Sequence, residues 1–255
     1  MSEAAQRSAR TATAPVLSLE DVSVRYKDGA LGAVSITMSV EPGQLVAVFG
    51  PNGAGKTSTV RAASGFIRAE GVQVNGRITV AGEPVLGDEP HRVAARGLSF
   101  VPERNKLFPN LTVRENLESL GVQPPRARRQ ELEERILSLF PVLSDRRTEV
   151  AGRLSGGQQQ MVAIGRALMM DPKVLIIDEL TLGLHPSMHE PLYSSVRQIA
   201  EEGTAVVVVD ESTGFALERA DYCYLLTGGR VRDEGPPARF LGSELLAAGY
   251  VEATT

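Results

Sequence analysis

Hydrophobic and polar positions follow two different periods along the chain. Leu17 to Val24, Gly32 to Val40 and Gln44 to Phe49 are short β-type runs separated by turn residues, and they predict strands feeding a core sheet. A glycine-rich turn and a helical segment to about Ser64 follow. Val72 to Val80 predicts further strands around an Asn75-Gly76 turn. Between about Asp88 and Asp171 the period becomes helical, which predicts a mostly helical insertion. Inside it, Thr112-Val-Arg-Glu115 has the pattern of a capping box, and Arg126 to Phe140 is amphipathic and laced with charge. Ser155-Gly-Gly-Gln158 can cap another helix, ending before Pro172. Val174 to Ile177 and Ala205 to Val209 are continuous apolar runs, as strands buried on both faces of a parallel sheet should be, with a helical stretch from Ser187 to Ala200 between them. Cys223 to Leu226 and Val231 to Glu234 flank Gly228-Gly229 and predict a closing hairpin, followed by a short helical tail. The pattern is that of an α/β core.

Composition narrows the class. With 255 residues, 42% hydrophobic and 23% charged, the chain can bury a sizeable core, which excludes disordered and collagen-like classes. Twenty-seven basic against 31 acidic residues leave a net charge of −4, without the basic footprint of a nucleic-acid binder, so no nucleic-acid partner is expected. The single cysteine, Cys223, cannot form an internal disulfide, which makes a reducing, cytosolic compartment the default. No run approaches the roughly 20 apolar residues that a membrane helix needs. Met1 to Pro15 is polar, lacks the apolar stretch of a secretory signal and reads as a loose tail. His91, His185 and His189 are isolated, and the last two are expected to face solvent.

Three segments carry candidate chemistry. Gly50-Pro51-Asn52-Gly53-Ala54-Gly55-Lys56-Thr57, followed by Ser58, fits the phosphate-loop pattern between an apolar strand and a helix. Glycines let the backbone form a nest of N–H groups around a triphosphate, Lys56 adds a point charge on the β and γ oxygens, and Thr57 offers a hydroxyl to Mg²⁺. Asp178 and Glu179 stand at the C-terminal end of a buried strand, where α/β sheets present ligands. Asp178 is the candidate Mg²⁺ ligand, and Glu179 the candidate that orients or deprotonates an attacking water. Leu154-Ser155-Gly156-Gly157-Gln158 opens a helix and offers a second anion site; read without the other motifs it is equally a plain helix cap.

Together these motifs resemble those of the ATP-binding subunits of ABC transporters, over about Val16 to Val251. The resemblance implies a P-loop NTPase core of ABC type, with an antiparallel β subdomain and an inserted helical subdomain at about residues 88–171. It also implies ATP and Mg²⁺ as ligands and Tyr26 as the ring stacked on adenine. A second ABC ATPase subunit would pair head to tail with this one, in a homo- or heterodimer, with Leu154 to Gln158 acting in trans. Val101-Pro102-Glu103, Phe108 to Leu117, Gln159 to Leu168 and Leu182-Gly-Leu184 look more specifically like the smaller ATP-binding subunit of branched-chain amino acid importers. That implies transmembrane permease subunits as partners, indirectly a solute-binding protein, and a place on the inner face of the cell membrane. Urea and amide importers have very similar subunits. Glu103 would sense Mg²⁺ and the γ-phosphate from between the core and the insertion, and Asp88 to Arg114 would border the permease's docking groove.

Two positions depart from the family. Glu211 stands where most members have a histidine and the branched-chain group a glutamine. A carboxylate about 4 Å from the γ-phosphate would be repelled by about 4 kcal/mol, so Glu211 is expected to turn away unless it is protonated. Leu180 replaces the proline that usually follows the acidic pair, which is expected to loosen the strand's exit. A low-turnover subunit of a heteromeric ABC ATPase, and a soluble ABC protein outside transport, remain as alternative readings.

Overall fold

The computed structural model describes residues 14–67, 71–104, 106–121, 124–210 and 213–241. Most of the N-terminal tail, the C-terminal helical tail and Glu211 lie outside them. The chain begins with β1 (Leu17–Arg25), β2 (Leu31–Val40) and β3 (Leu45–Phe49), then α1 (Lys56–Ala63), β4 (Gln73–Val80) and the short β5 (Glu83–Pro84). Strands β2, β1, β4 and β5, in that order, form an antiparallel sheet.

After α2 (Pro90–Ala95) comes β6 (Leu98–Val101), followed by α3 (Val113–Glu118), α4 (Arg126–Leu139), α5 (Pro141–Ser144) and α6 (Gly156–Leu168). The chain closes with β7 (Val174–Asp178), α7 (His189–Glu201), β8 (Ala205–Asp210), α8 (Thr213–Arg219), β9 (Tyr222–Thr227) and β10 (Arg230–Gly235). The second sheet runs β10-β9-β3-β8-β7-β6, parallel except for β10.

Both faces of this sheet are covered, which explains the unbroken apolar runs. Val46, Val48, Ile176, Val207 and Val209 point into a core shared with β1, β2, β4 and α1. Their neighbours Ala47, Phe49, Ile177, Val206 and Val208 point into a second core shared with α3, α4, α6, α7 and α8. The strand ends that carry Phe49, Asp178 and Asp210 are therefore fixed from two sides.

Two expectations need correction. Residues 73–80 form one strand, not two around a turn: β1 bulges between Glu20 and Ser23, and Gly76 (φ +106) lies where an added Cβ would stand 2.5 Å from the Asp21 carbonyl oxygen. The Asn-Gly pair thus accommodates a bulge in the neighbouring strand. The stretch expected to be mostly helical contains β6, which pairs with β7 in the core sheet before the chain turns helical. The caps agree with the sequence pattern: Thr112 with Glu115, and Ser155 with Gln158, each make both hydrogen bonds of a capping box. The charged face of α4 is tied down by Arg128, which holds Asp171 through Nε (2.9 Å) and Nη2 (2.8 Å), while Leu132 and Ile136 are buried.

Candidate active site

The loop between β3 and α1 is held by its glycines. Gly50 (φ +148) and Gly55 (φ +92) pass so close to other backbone that a Cβ would stand 2.1 Å from the Leu226 oxygen and 2.3 Å from the Gly32 oxygen, respectively. No other residue fits at either place. Gly55 is the N-cap of α1 and gives it no side-chain cap. The first amides of α1 therefore have no acceptor within their own helix. Lys56 is buried at 5% exposure, its ammonium donating to the carbonyl oxygens of Gly50 (2.7 Å) and Pro51 (3.2 Å). A cation is thus enclosed at the positive end of a helix, an arrangement that complements a polyanion.

This loop floors a cleft of about 420 Å³. Asn52, Gly53, Ala54, Gly55, Lys56, Thr57 and Ser58 line it, together with Tyr26, Glu103 and Glu179. The Tyr26 hydroxyl lies 2.7 Å from Ser58 Oγ, which fixes the ring's height above the loop. Ala30 and the start of β2, Leu31 and Gly32, also line it, and Leu182 adds an exposed apolar side chain; the sequence reading does not place these residues in the site. Ala30 and Leu31 fall between two predicted strands and Gly32 opens the second of them, while Leu182 enters only through the likeness of Leu182-Gly-Leu184.

The two carboxylates at the end of β7 have different surroundings. Asp178 is buried; its Oδ1 accepts from Thr57 Oγ1 at 3.2 Å, and its Oδ2 has no partner. Burial pushes the Asp178 carboxyl up from the usual range and Glu103 adds to this, against the hydroxyl of Thr57 and the charges of Arg61 and Lys56. Glu179 sits in left-handed backbone (φ +58), with its N–H on the Val209 carbonyl oxygen at 2.9 Å. Such a backbone conformation in a non-glycine residue costs of order 1–3 kcal/mol and persists only where its surroundings hold it. Leu180, in place of the usual proline, is fully buried in the core. Glu103 is half-buried and paired with Arg104 at 3.0 Å.

Leu154, Ser155, Gly156, Gly157 and Gln158 do not line this cleft. Ser155 and Gly156 are exposed, and Leu154 is buried beneath them. A Cβ on Gly156 would meet Leu184 at 2.9 Å and one on Gly157 would meet Met188 at 2.6 Å, so the segment leaving Glu179 packs directly on the start of α6. Glu211 lies outside the described residues. His189, expected to face solvent, is half-buried, with its ring edge-to-face on Phe215 at 5.5 Å.

A glycine loop closing on a helix start at the end of a parallel strand, beside a strand that ends in carboxylates, defines a P-loop nucleotide-hydrolysing cassette. Residues 34–182 match the ABC transporter family, and the chain belongs to it. It is 37% identical to the high-affinity branched-chain amino acid transport ATP-binding protein BraG of Pseudomonas aeruginosa, over 85% of this chain and 91% of that protein. It is 31% identical to the arginine transport ATP-binding protein ArtM of Bacillus subtilis, over 82% of this chain and 87% of that one. The fold is similar to that of an ATP-binding cassette of an ABC transporter solved in its ADP conformation, with a TM-score of 0.81 at 24% identity over 94% of this chain and 99% of that one. The protein is an ATPase subunit of a transporter. Among the described residues no helix is long and apolar enough to cross a membrane.

Proposed function

We propose that this chain binds and hydrolyses ATP to energise an importer of branched-chain amino acids or a related small polar solute such as urea or an amide. The cleft that joins the phosphate loop to Glu179 and Glu103 carries the catalytic part of the reading. Its likeness to BraG carries the solute class. Tyr26 stacks on adenine, the amides from Gly50 to Ser58 surround the phosphates, and Lys56 places its charge on the β and γ oxygens. Glu179 takes a proton from water, whose oxygen attacks the γ-phosphorus as the bond to the ADP oxygen breaks.

The cleft fits Mg²⁺. Asp178 holds a buried, unpartnered carboxylate oxygen, its other oxygen accepting from the hydroxyl of Thr57, and Thr57 and Glu103 line the cleft. These three residues would hold the ion, which supplies positive charge to the phosphate oxygens when bound.

The remaining partners follow from what the cleft lacks. Leu154 to Gln158 lie away from it, so we assign them to the nucleotide of a second ABC ATPase subunit, in a homo- or heterodimer. A groove of about 350 Å³ between the core sheet and α6, lined by Phe66, His91, Phe100, Lys106, Phe108 and Arg166, receives a transmembrane permease subunit. Of these, His91, Phe100, Lys106 and Phe108 fall within the Asp88 to Arg114 stretch, and Phe66 and Arg166 lie outside it. A solute-binding protein acts through that permease, and the subunit works on the inner face of the membrane.

Mg-ATP turnover and nucleotide affinity of the wild-type chain and Glu179→Gln test the catalytic reading. Loss of a general base lowers turnover by about 10³-fold with ATP affinity retained. Unchanged turnover in the variant contradicts the role of Glu179. Glu211 favours a second reading, a low-turnover member of a heteromeric pair, for which the wild-type chain binds ATP tightly without turning it over.

A further inference from the structure

Behind Glu179, away from the nucleotide, lies a buried polar group that none of the assigned roles uses. Asp210 ends β8, opposite Phe49 at the end of β3, one residue before the phosphate loop begins. Its Oδ2 accepts from the Tyr193 hydroxyl at 2.5 Å and from Thr181 Oγ1 at 3.3 Å, and all three side chains are buried. Burial, reinforced by the charges of Asp210 and Glu179, pushes the Tyr193 hydroxyl far above its ordinary range, so it stays protonated and donates. Tyr193 is itself fixed, stacked on Phe215 of α8 at 5.9 Å with the rings 13° apart.

The three residues bracket Glu179. On its N-terminal side Asp178 pairs with Val209, and the Glu179 amide is bonded to the Val209 carbonyl oxygen. Two residues later Thr181 is bonded to Asp210, the next residue along the same strand. The left-handed backbone at Glu179 is thus pinned to β8 on both sides, and Tyr193 holds the carboxylate that forms the second pin. Loss of that pin frees the strained backbone to relax and turn the Glu179 carboxylate, while the phosphate loop keeps its own tie, the Ala54 carbonyl oxygen accepting from the Gly229 amide at 3.1 Å.

We propose that Tyr193, Asp210 and Thr181 form a buried clamp that orients Glu179 for hydrolysis, as positioning residues that touch neither nucleotide nor water. This rests on Glu179 acting as the base.

Mg-ATP kinetics and thermal stability of wild type, Glu179→Gln, Tyr193→Phe and Thr181→Val test it. Tyr193→Phe keeps the ring and its stack on Phe215 and removes only the hydroxyl; Thr181→Val keeps the shape and serves if Tyr193→Phe fails to fold. The clamp predicts that both variants lose about tenfold in kcat, with KM for ATP within about twofold of wild type, because orientation is lost and binding is not. Wild-type kcat in folded Tyr193→Phe and Thr181→Val, with Glu179→Gln inactive and only the melting temperature lowered, overturns the clamp and leaves Glu179 as the base. Full turnover in Glu179→Gln overturns both.

Discussion

Two helix starts in this protein carry anion-binding sequences, and the chain treats them differently. At α1 the N-cap is a left-handed glycine without a side-chain cap, and a buried lysine follows it. At α6 the N-cap is Ser155, in a closed capping box: Ser155 Oγ accepts from the Gln158 amide at 3.4 Å and Gln158 Oε1 from the Ser155 amide at 3.1 Å. The first start has no side-chain cap on its amides and lies in a cleft that Glu103 and Glu179 also line. The second satisfies part of its own polarity and is exposed. On the proposed function, α1 binds nucleotide by itself, whereas α6 needs a second subunit to complete a site.

Removing the cation at the first start has the largest expected effect. Lys56→Ala eliminates charge-assisted hydrogen bonds to the phosphates and weakens ATP binding by about 100-fold, as measured by calorimetry on the isolated chain. Ordinary affinity in that variant would show that the loop's amides suffice. At the second start the effect is smaller and of another kind. Ser155→Ala costs about 1 kcal/mol of stability through the lost cap, read from denaturant unfolding, and leaves the isolated chain's ATP affinity unchanged. A parallel loss of affinity would place Ser155 in the cis site and erase the contrast.

The elements on which this contrast depends were legible because each is local. The phosphate loop needs glycines at fixed offsets between a strand and a helix, and a capping box needs only Ser155 and Gln158 three residues apart. The buried strands showed as apolar runs because both faces of the sheet are covered. Features set by distant chain were not legible. β6 is four residues at the sheet's edge within otherwise helical sequence, and only its pairing with β7 makes it a strand. Asn75-Gly76 has the composition of a turn, and the bulge of β1 around Asp21 straightens it into strand. The partnership of Tyr193 with Asp210 joins the middle of a helix to the end of a strand. A carboxylate closing the apolar run Ala205 to Val209 was a signal of the kind that picked out Asp178, but its partner had none.

The central claim is that one chain holds half of each hydrolytic site. Specific Mg-ATP turnover of the wild-type chain, measured across protein concentrations that span its self-association, tests this most directly. If α6 completes the site of a second copy, specific activity rises with concentration and levels off as dimers saturate, while ATP affinity in the dilute chain stays constant. A specific activity independent of concentration, in a chain shown to be monomeric, would mean that the cleft at α1 is complete by itself.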